Sequence, residues 1–164
     1  MQKSVKIPTV AEALRKLSAR CAVSEQAPAD LLRKMRGWGM SETDVAAVME
    51  RLVNGNFVNE ERYVRAFVND KFIYARWGRG KIAQGLRQKG FAPSLIQAVV
   101  SEIDEAAYRQ VLCELLEKQL PAVRARNAYE RRAKLARFAV GRGFEQYLVF
   151  ECLDTLVDES GELD

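Results

Sequence analysis

Residues 82–103 read Ile82-Ala83-Gln84-Gly85-Leu86-Arg87-Gln88-Lys89-Gly90-Phe91-Ala92-Pro93-Ser94-Leu95-Ile96-Gln97-Ala98-Val99-Val100-Ser101-Glu102-Ile103. Ile82 and Leu86 are four apart, which puts them on one helix face. Gly90 and Phe91 mark a break. Ile96, Val99, Val100 and Ile103 then recur at i, i+3, i+4 and i+7, the stripe of a second amphipathic helix. The same pattern occurs at Leu31, Met35, Gly39, Met40, Val45, Val48, Met49 and Leu52. It occurs again at Leu135, Ala139, Gly143, Phe144, Val149, Cys152, Leu153 and Leu156. Apolar periodicity alone is common. Periodicity with a glycine in register three times is an internal repeat of about fifty residues.

Helix signals outside the quoted pattern complete each repeat as three helices. In the first, Thr9 caps a helix through about Arg20. Pro28 opens a second that ends before Gly37-Trp38-Gly39, and Ser41-Glu42-Thr43-Asp44 starts a third running to Asn54-Gly55. In the second, Asn59 caps a helix through about Ala75, with Glu60 and Glu61 in its first turn. Gly78-Arg79-Gly80 breaks it, and helices over about 81–88 and 93–103 follow. In the third, helices are predicted over about 105–120, 127–140 and 145–157, with Pro121 as an interruption. No segment alternates with period two, so no sheet is predicted. The expected organisation is an N-terminal extension (1–8), three all-α, three-helix repeats (9–58, 59–104 and 105–157) and an acidic, frayed tail (158–164).

Composition narrows the function. The chain has 164 residues, 29% charged and 48% hydrophobic, as in a soluble globular protein. It has no histidine. Ser-His-Asp and Cys-His nucleophiles and imidazole metal sites are excluded. Cys21, Cys113 and Cys152 are far apart and form no C-x-x-C pair. They are expected as small buried thiols, not as a disulfide framework or a zinc site. The carboxylates of Glu60-Glu61 and Asp158-Glu159 have no motif partner, and Gly78-x-Gly80 lacks the strand that precedes a phosphate loop. We therefore assign no catalytic residue, no metal and no cofactor. Met1–Pro8 has no apolar core, so no signal peptide is expected, and no apolar run nears the roughly 18 residues of a membrane span. A reducing cytoplasm is the expected setting.

The net charge of +4 conceals a polarity. All 26 Lys and Arg lie at or before Arg142, where they meet 15 acids; the seven remaining acids follow, with no base among them. Lys71 to Ser101 has six bases and no acid, and Lys118 to Arg142 has eight bases against Glu130 alone. Such a surface attracts polyanions or an acidic protein face. Each repeat has the outline of a helix-turn-helix. Its third helix is the base-reading element in such motifs. Here the third helix of repeat two, from Pro93 to Ile103, has no Lys or Arg, and that of repeat one has three acids and one arginine. The outline is read as a packing unit.

The second repeat carries more than periodicity. Asn59-Glu60-Glu61-Arg62-Tyr63 precedes Ala66-Phe67-Val68 and Lys71-Phe72. Trp77-Gly78, Lys81-Ile82, Leu86-Arg87-Gln88-Lys89-Gly90-Phe91 and Ile96 follow. Leu32-Arg33-Lys34-Met35 with Trp38-Gly39, and Arg142-Gly143-Phe144, extend the set to the other repeats. The ordered set, over about residues 9–157, resembles the RecX family of regulatory proteins. Asn59 departs from that family's Asp, a change that keeps the helix cap. The resemblance implies an elongated, curved, all-α array without enzymatic activity. It implies a partner, the RecA-type recombinase filament on single-stranded DNA, whose ATPase, strand-exchange and coprotease activities are modulated or inhibited. It also implies a setting in recombination, DNA repair and the SOS response, and direct DNA binding by some members. No membrane is involved, and the chain is expected to be a monomer.

The candidate partner- and DNA-binding stripe is Arg76, Arg79, Lys81, Arg87, Lys89, Arg131, Lys134 and Arg142. A solvated face is the alternative reading of the same charges. Trp38 and Trp77 cover each core at a helix end, or else serve as interface aromatics. Tyr63 and Phe67, four apart, are expected in the core, and Arg62 is expected to pair with Glu60 or Glu61. Two other functions fit an all-α basic chain: an autonomous DNA-binding helix-turn-helix repeat protein, and an α-solenoid adaptor for another acidic protein.

Overall fold

Short-range chemistry sets most helix starts. Thr9 Oγ1 accepts from the Glu12 amide at 3.1 Å, Ser41 Oγ from Asp44 at 3.2 Å and Asn59 Oδ1 from Arg62 at 2.8 Å. Asp104 accepts from Ala107 at 3.0 Å and Asn127 from Glu130 at 2.8 Å. Each side chain satisfies an amide that has no partner inside its own helix. The computed structural model describes residues 5–160, with side-chain surroundings through Leu156. Its described residues form helices and no strand: α1 (Val10–Val23), α2 (Pro28–Gly37), α3 (Glu42–Asn54), α4 (Glu60–Ile73), α5 (Arg79–Gln88) and α6 (Pro93–Val100). Then come α7 (Glu105–Gln119), a 3₁₀ turn (Leu120–Ala122), α8 (Ala128–Gly141) and α9 (Gln146–Ser160). Of the tail expected to fray from Asp158, residues 158–160 continue α9 and the rest lies outside the described residues, as do residues 1–4.

The repeat read from sequence is a repeat in structure. Leu31, Ile82 and Leu135 are buried, and so are Met35, Leu86 and Ala139. After the turn Met40, Phe91 and Phe144 are buried, followed by Val45, Ile96 and Val149. Gly39, Gly90 and Gly143 all have positive φ, at 82°, 86° and 98°. That conformation closes the helix before each glycine and suits a residue without Cβ.

Packing divides the chain into two compact units. One comprises residues up to Ala66 with Lys89–Phe91; the other comprises Phe67–Gln88 and the residues from Ala92. The division falls inside α4. The first unit's core joins Ala13 and Leu17 of α1, Leu31 and Met35 of α2 and Val45, Val48 and Leu52 of α3. In the second unit α5 packs on α6 through Ile82, Leu86, Ile96, Val99 and Val100. A larger core there joins Tyr108, Leu112 and Leu116 of α7, Leu135 and Ala139 of α8 and Leu148, Val149 and Leu153 of α9. Each fully buried leucine of this kind contributes about 1.5–3 kcal/mol.

Four expectations are corrected. Cys113 and Cys152 are not free thiols: they form a disulfide joining α7 to α9, with Cα atoms 5.7 Å apart, and Cys21 alone stays free. Residues thirty-nine apart in sequence meet because α7 and α9 pack side by side. Tyr63 and Phe67 are only half-buried; Val64 and Val68 are the buried residues of α4. Arg62 turns away from Glu60 and Glu61. It pairs with Glu25 and donates to the carbonyls of Asn56 and Phe57 at 3.1 and 3.2 Å. Finally, α5 begins at Arg79, two residues early. The Gly78 and Gly80 amides donate to the carbonyls of Arg142 and Gly143 at 2.8 and 3.0 Å, so backbone from the third repeat caps this helix in place of a side chain.

Candidate functional site

The basic residues singled out in the sequence differ in how free their charges are. Arg79 is the most committed. Its amide donates to the Tyr108 hydroxyl at 3.0 Å, and its guanidinium lies 3.8 Å from the centre of the Tyr108 ring. The same guanidinium pairs with Glu145 at 3.0 Å and with Glu105. The Tyr108 hydroxyl in turn donates to Glu145 at 2.8 Å. Tyr108 is fully buried. Burial, together with the Glu145 carboxylate, pushes its phenol well above the usual range. Burial alone would lower the Arg79 pKa, but Glu105, Glu145 and Tyr108 outweigh it and hold the charge more firmly than usual. Arg79 in turn lowers the Glu105 pKa through their hydrogen bond. The network ties the start of α5 to α7 and to the turn before α9.

Lys89 belongs to the first unit. It donates to Asp30 at 2.9 Å, and that bond raises its pKa against a partial burial, with Tyr63 adding to the rise. Lys134 donates to the Arg124 carbonyl at 2.6 Å and pairs with Glu130 at 3.2 Å. Arg87 is exposed and Arg131 half-buried, and neither makes an ion pair among the described residues. Lys81 sits with its ammonium 4.4 Å from the Trp77 ring centre, and Lys71 approaches the same ring at 5.0 Å. Trp77 is half-buried and meets Phe67 edge-on at 6.4 Å. Trp38, in the first unit, is half-buried against that unit's core, with Lys16 and Lys34 5.5 and 5.9 Å from its ring. Both tryptophans thus cover apolar side chains while keeping one face beside cations.

Arg76 and Arg142 come together at one groove, which Tyr74 and Lys118 also line. Arg76 pairs with Glu114 at 3.1 Å. Arg142 donates to the Ala75 carbonyl at 3.3 Å and lies over the Phe138 ring at 5.2 Å. Among the described residues no group of His, Cys, Asp or Glu is placed to hold a metal ion, and no helix is long and apolar enough to cross a membrane.

Sequence reasoning missed Tyr108, Glu105 and Glu145. They reach Arg79 across separations of up to 66 residues, and no local pattern announces such a contact. It also missed Tyr74, and it counted Lys118 only as part of a basic stretch.

Residues 59–100 match the family model of the second three-helix domain of RecX, and residues 107–153 that of the third. The regulatory protein RecX of Prosthecochloris aestuarii is 27% identical over 146 residues, covering 89% of this chain and 94% of that protein. That of Pelodictyon phaeoclathratiforme is 30% identical over 129 residues, 78% of each chain. The crystal structure of RecX from Lactobacillus salivarius superposes with a TM-score of 0.78 over 90% of this chain and 96% of that one, at 13% identity. Two successive three-helix domains with their glycines in register, and relatives that match at nearly full length, lead to one assignment: this chain belongs to the RecX family of regulatory proteins.

Proposed function

We propose that this protein binds the filament of a RecA-type recombinase on single-stranded DNA and modulates or inhibits its ATPase, strand-exchange and coprotease activities. The observation that carries the reading is the distribution of charge. The third helices, which a helix-turn-helix would place in a groove of duplex DNA, are poor in bases: α6 has none and neither has α9. Cations lie on α5, on α8 and on the turns that flank them. That arrangement favours a basic face for phosphates and acidic protein loops over base reading in a duplex. The bound protein bridges protomers and DNA, and so holds the filament in a state poor at strand exchange or promotes its disassembly. No catalytic residue is needed for either effect. The repeat boundaries 9–58, 59–104 and 105–157, the monomeric state and direct contact with single-stranded DNA belong to the same proposal.

The ion pairs decide which variants can test it. Charge reversal at Arg79 or Lys89 would leave Glu105, Glu145 or Asp30 facing a like charge, so lost activity would mix with lost stability. Arg87→Glu with Arg131→Glu removes two charges that hold nothing together. The folded double variant should lose inhibition of recombinase ATPase on preformed filaments at stoichiometric amounts. Unchanged inhibition would remove these residues from the interface. A wild-type chain with no effect on ATPase or strand exchange would overturn the reading in favour of an adaptor for another acidic protein. Nanomolar, sequence-dependent binding to duplex DNA without recombinase would overturn it in favour of an autonomous DNA-binding protein.

A further inference from the structure

The turn after α4 is unusual. Tyr74 and Ala75 still donate to the Asp70 carbonyl, at 3.0 and 3.3 Å, and Trp77 donates to Lys71 at 2.9 Å. Between them Arg76 has φ of 55°. Apart from Asn56, it is the one described residue other than glycine with a positive φ. Asparagine tolerates that region; arginine enters it only where surrounding contacts hold it, and such residues gather at ligand-binding sites. Here the contacts are Glu114, which fixes the guanidinium, and Arg142, which donates to the carbonyl of the preceding residue.

The strained turn forms one wall of a groove of about 480 Å³ within the second unit. Its floor includes Leu115 and Phe138, and Arg76, Lys118 and Arg142 lie around it. No carboxylate is among its lining residues, and the neighbouring Glu114 is taken up by Arg76 at 3.1 Å. Lys118 is exposed and makes no ion pair among the described residues. Tyr74, another lining residue, is 78% exposed, so its ring face is open to a ligand.

We propose that this groove takes a nucleotide of single-stranded DNA, with the base against the Tyr74 ring and the adjoining phosphate held by Lys118 and Arg142, while Arg76, paired with Glu114, shapes the wall. The volume suits a ligand of that size. Cations beside an open aromatic face and an apolar floor are the composition of a single-strand site. Duplex DNA offers the phosphates but hides its base faces. An acidic peptide would satisfy the cations and leave the ring and floor unused. The inference deepens the filament reading by assigning this part of the basic face to DNA, not to the recombinase.

The test uses the full chain without recombinase and a fluorescent oligothymidylate, read by anisotropy at fixed salt. Tyr74→Ala should weaken binding roughly tenfold, and Tyr74→Phe should retain it, because the stacking face survives. Lys118→Gln should weaken binding and make it less salt-sensitive. A duplex of the same length should not respond to Tyr74→Ala. Tyr74 and Lys118 are exposed, so unchanged thermal melts are expected for all three variants. Wild-type-like affinity in Tyr74→Ala, or no oligothymidylate binding by the wild type, would overturn the proposal. So would an oligoglutamate peptide that displaces the oligonucleotide and ignores Tyr74→Ala. Inhibition of recombinase ATPase is measured in parallel. A wild type that fails to inhibit while Tyr74→Ala still weakens oligonucleotide binding refutes the filament reading and upholds the groove. Inhibition by a wild type whose oligonucleotide binding ignores Tyr74→Ala upholds the filament reading and refutes the groove.

Discussion

Gly78 and Gly143, sixty-five positions apart, meet backbone to backbone: a Cβ on Gly78 would lie 2.3 Å from the carbonyl carbon of Gly143. The reverse holds too, since a Cβ on Gly143 would lie 2.5 Å from the Lys81 amide nitrogen. The start of α5 and the turn before α9 are therefore fastened through main chain, with no side chain to yield.

Gly143→Ala should destabilise the protein by about 2–4 kcal/mol, because it combines a positive φ with a clash against backbone. Gly90→Ala is the control. Gly90 has the same kind of φ, but a Cβ there meets nothing within 4 Å. Its cost should be about 1 kcal/mol. Urea unfolding of the two variants measures the difference, and equal costs would show that the backbone contact contributes nothing.

Tyr108→Phe should cost about 1–2 kcal/mol. It removes the hydroxyl that accepts from the Arg79 amide and donates to Glu145, on a fully buried side chain. Chemical denaturation followed by circular dichroism is the measurement.

The Arg79–Glu105 pair predicts an acid limb. Arg79 holds the Glu105 pKa below its ordinary 4.5. A depressed carboxylate stabilises the fold above its unfolded pKa, and that contribution is lost as pH falls through the folded value. Stability should thus decline below about pH 4.5, and Arg79→Met should shallow the decline. Melting temperatures from pH 6 to pH 3 test this; parallel curves for both proteins would refute it.

Reduction of Cys113–Cys152 should cost about 2–4 kcal/mol, the usual contribution of a cross-link closing a loop of this size. Cys152→Ala should match the reduced wild type and no longer respond to reductant. Cys21→Ser should leave the response to reductant intact, since Cys21 is the free thiol.

Arg62→Ala should cost about 1 kcal/mol, because Arg62 is part-exposed and its ion pair with Glu25 is accompanied by bonds to two carbonyls. Glu60→Ala should cost only the few tenths of a kcal/mol of an exposed first-turn acid and show no coupling to Arg62, which would separate the observed partner from the neighbour that sequence alone suggests. A double-mutant cycle between Arg62 and Glu25 reads the coupling.

Much of the fold is written locally. Thr9, Ser41 and Asn127 cap the helices they precede, and Pro28 and Pro93 sit in the first turn of theirs. The glycines at 39, 90 and 143 take the left-handed turn that their register implied. These features depend on neighbours within about four residues, so an ordered list of side chains suffices to place them. Helix ends without such a cap moved: α5 starts early because its amides find the carbonyls of Arg142 and Gly143.

The candidate site was legible only as a surplus of charge. In the sequence eight basic residues are equivalent, yet Arg79 stitches three elements together, Lys89 bonds Asp30 and Arg87 makes no ion pair among the described residues. Arg62 prefers Glu25 to its own neighbours, and Cys113 finds Cys152. By itself the sequence determined the helices, their turns and the three-fold repetition, because helical periodicity and capping are short-range. Only the tertiary structure decided which charges are spent inside the protein and which are left for a partner, because ion pairs, ring contacts and cross-links form wherever packing brings distant residues together.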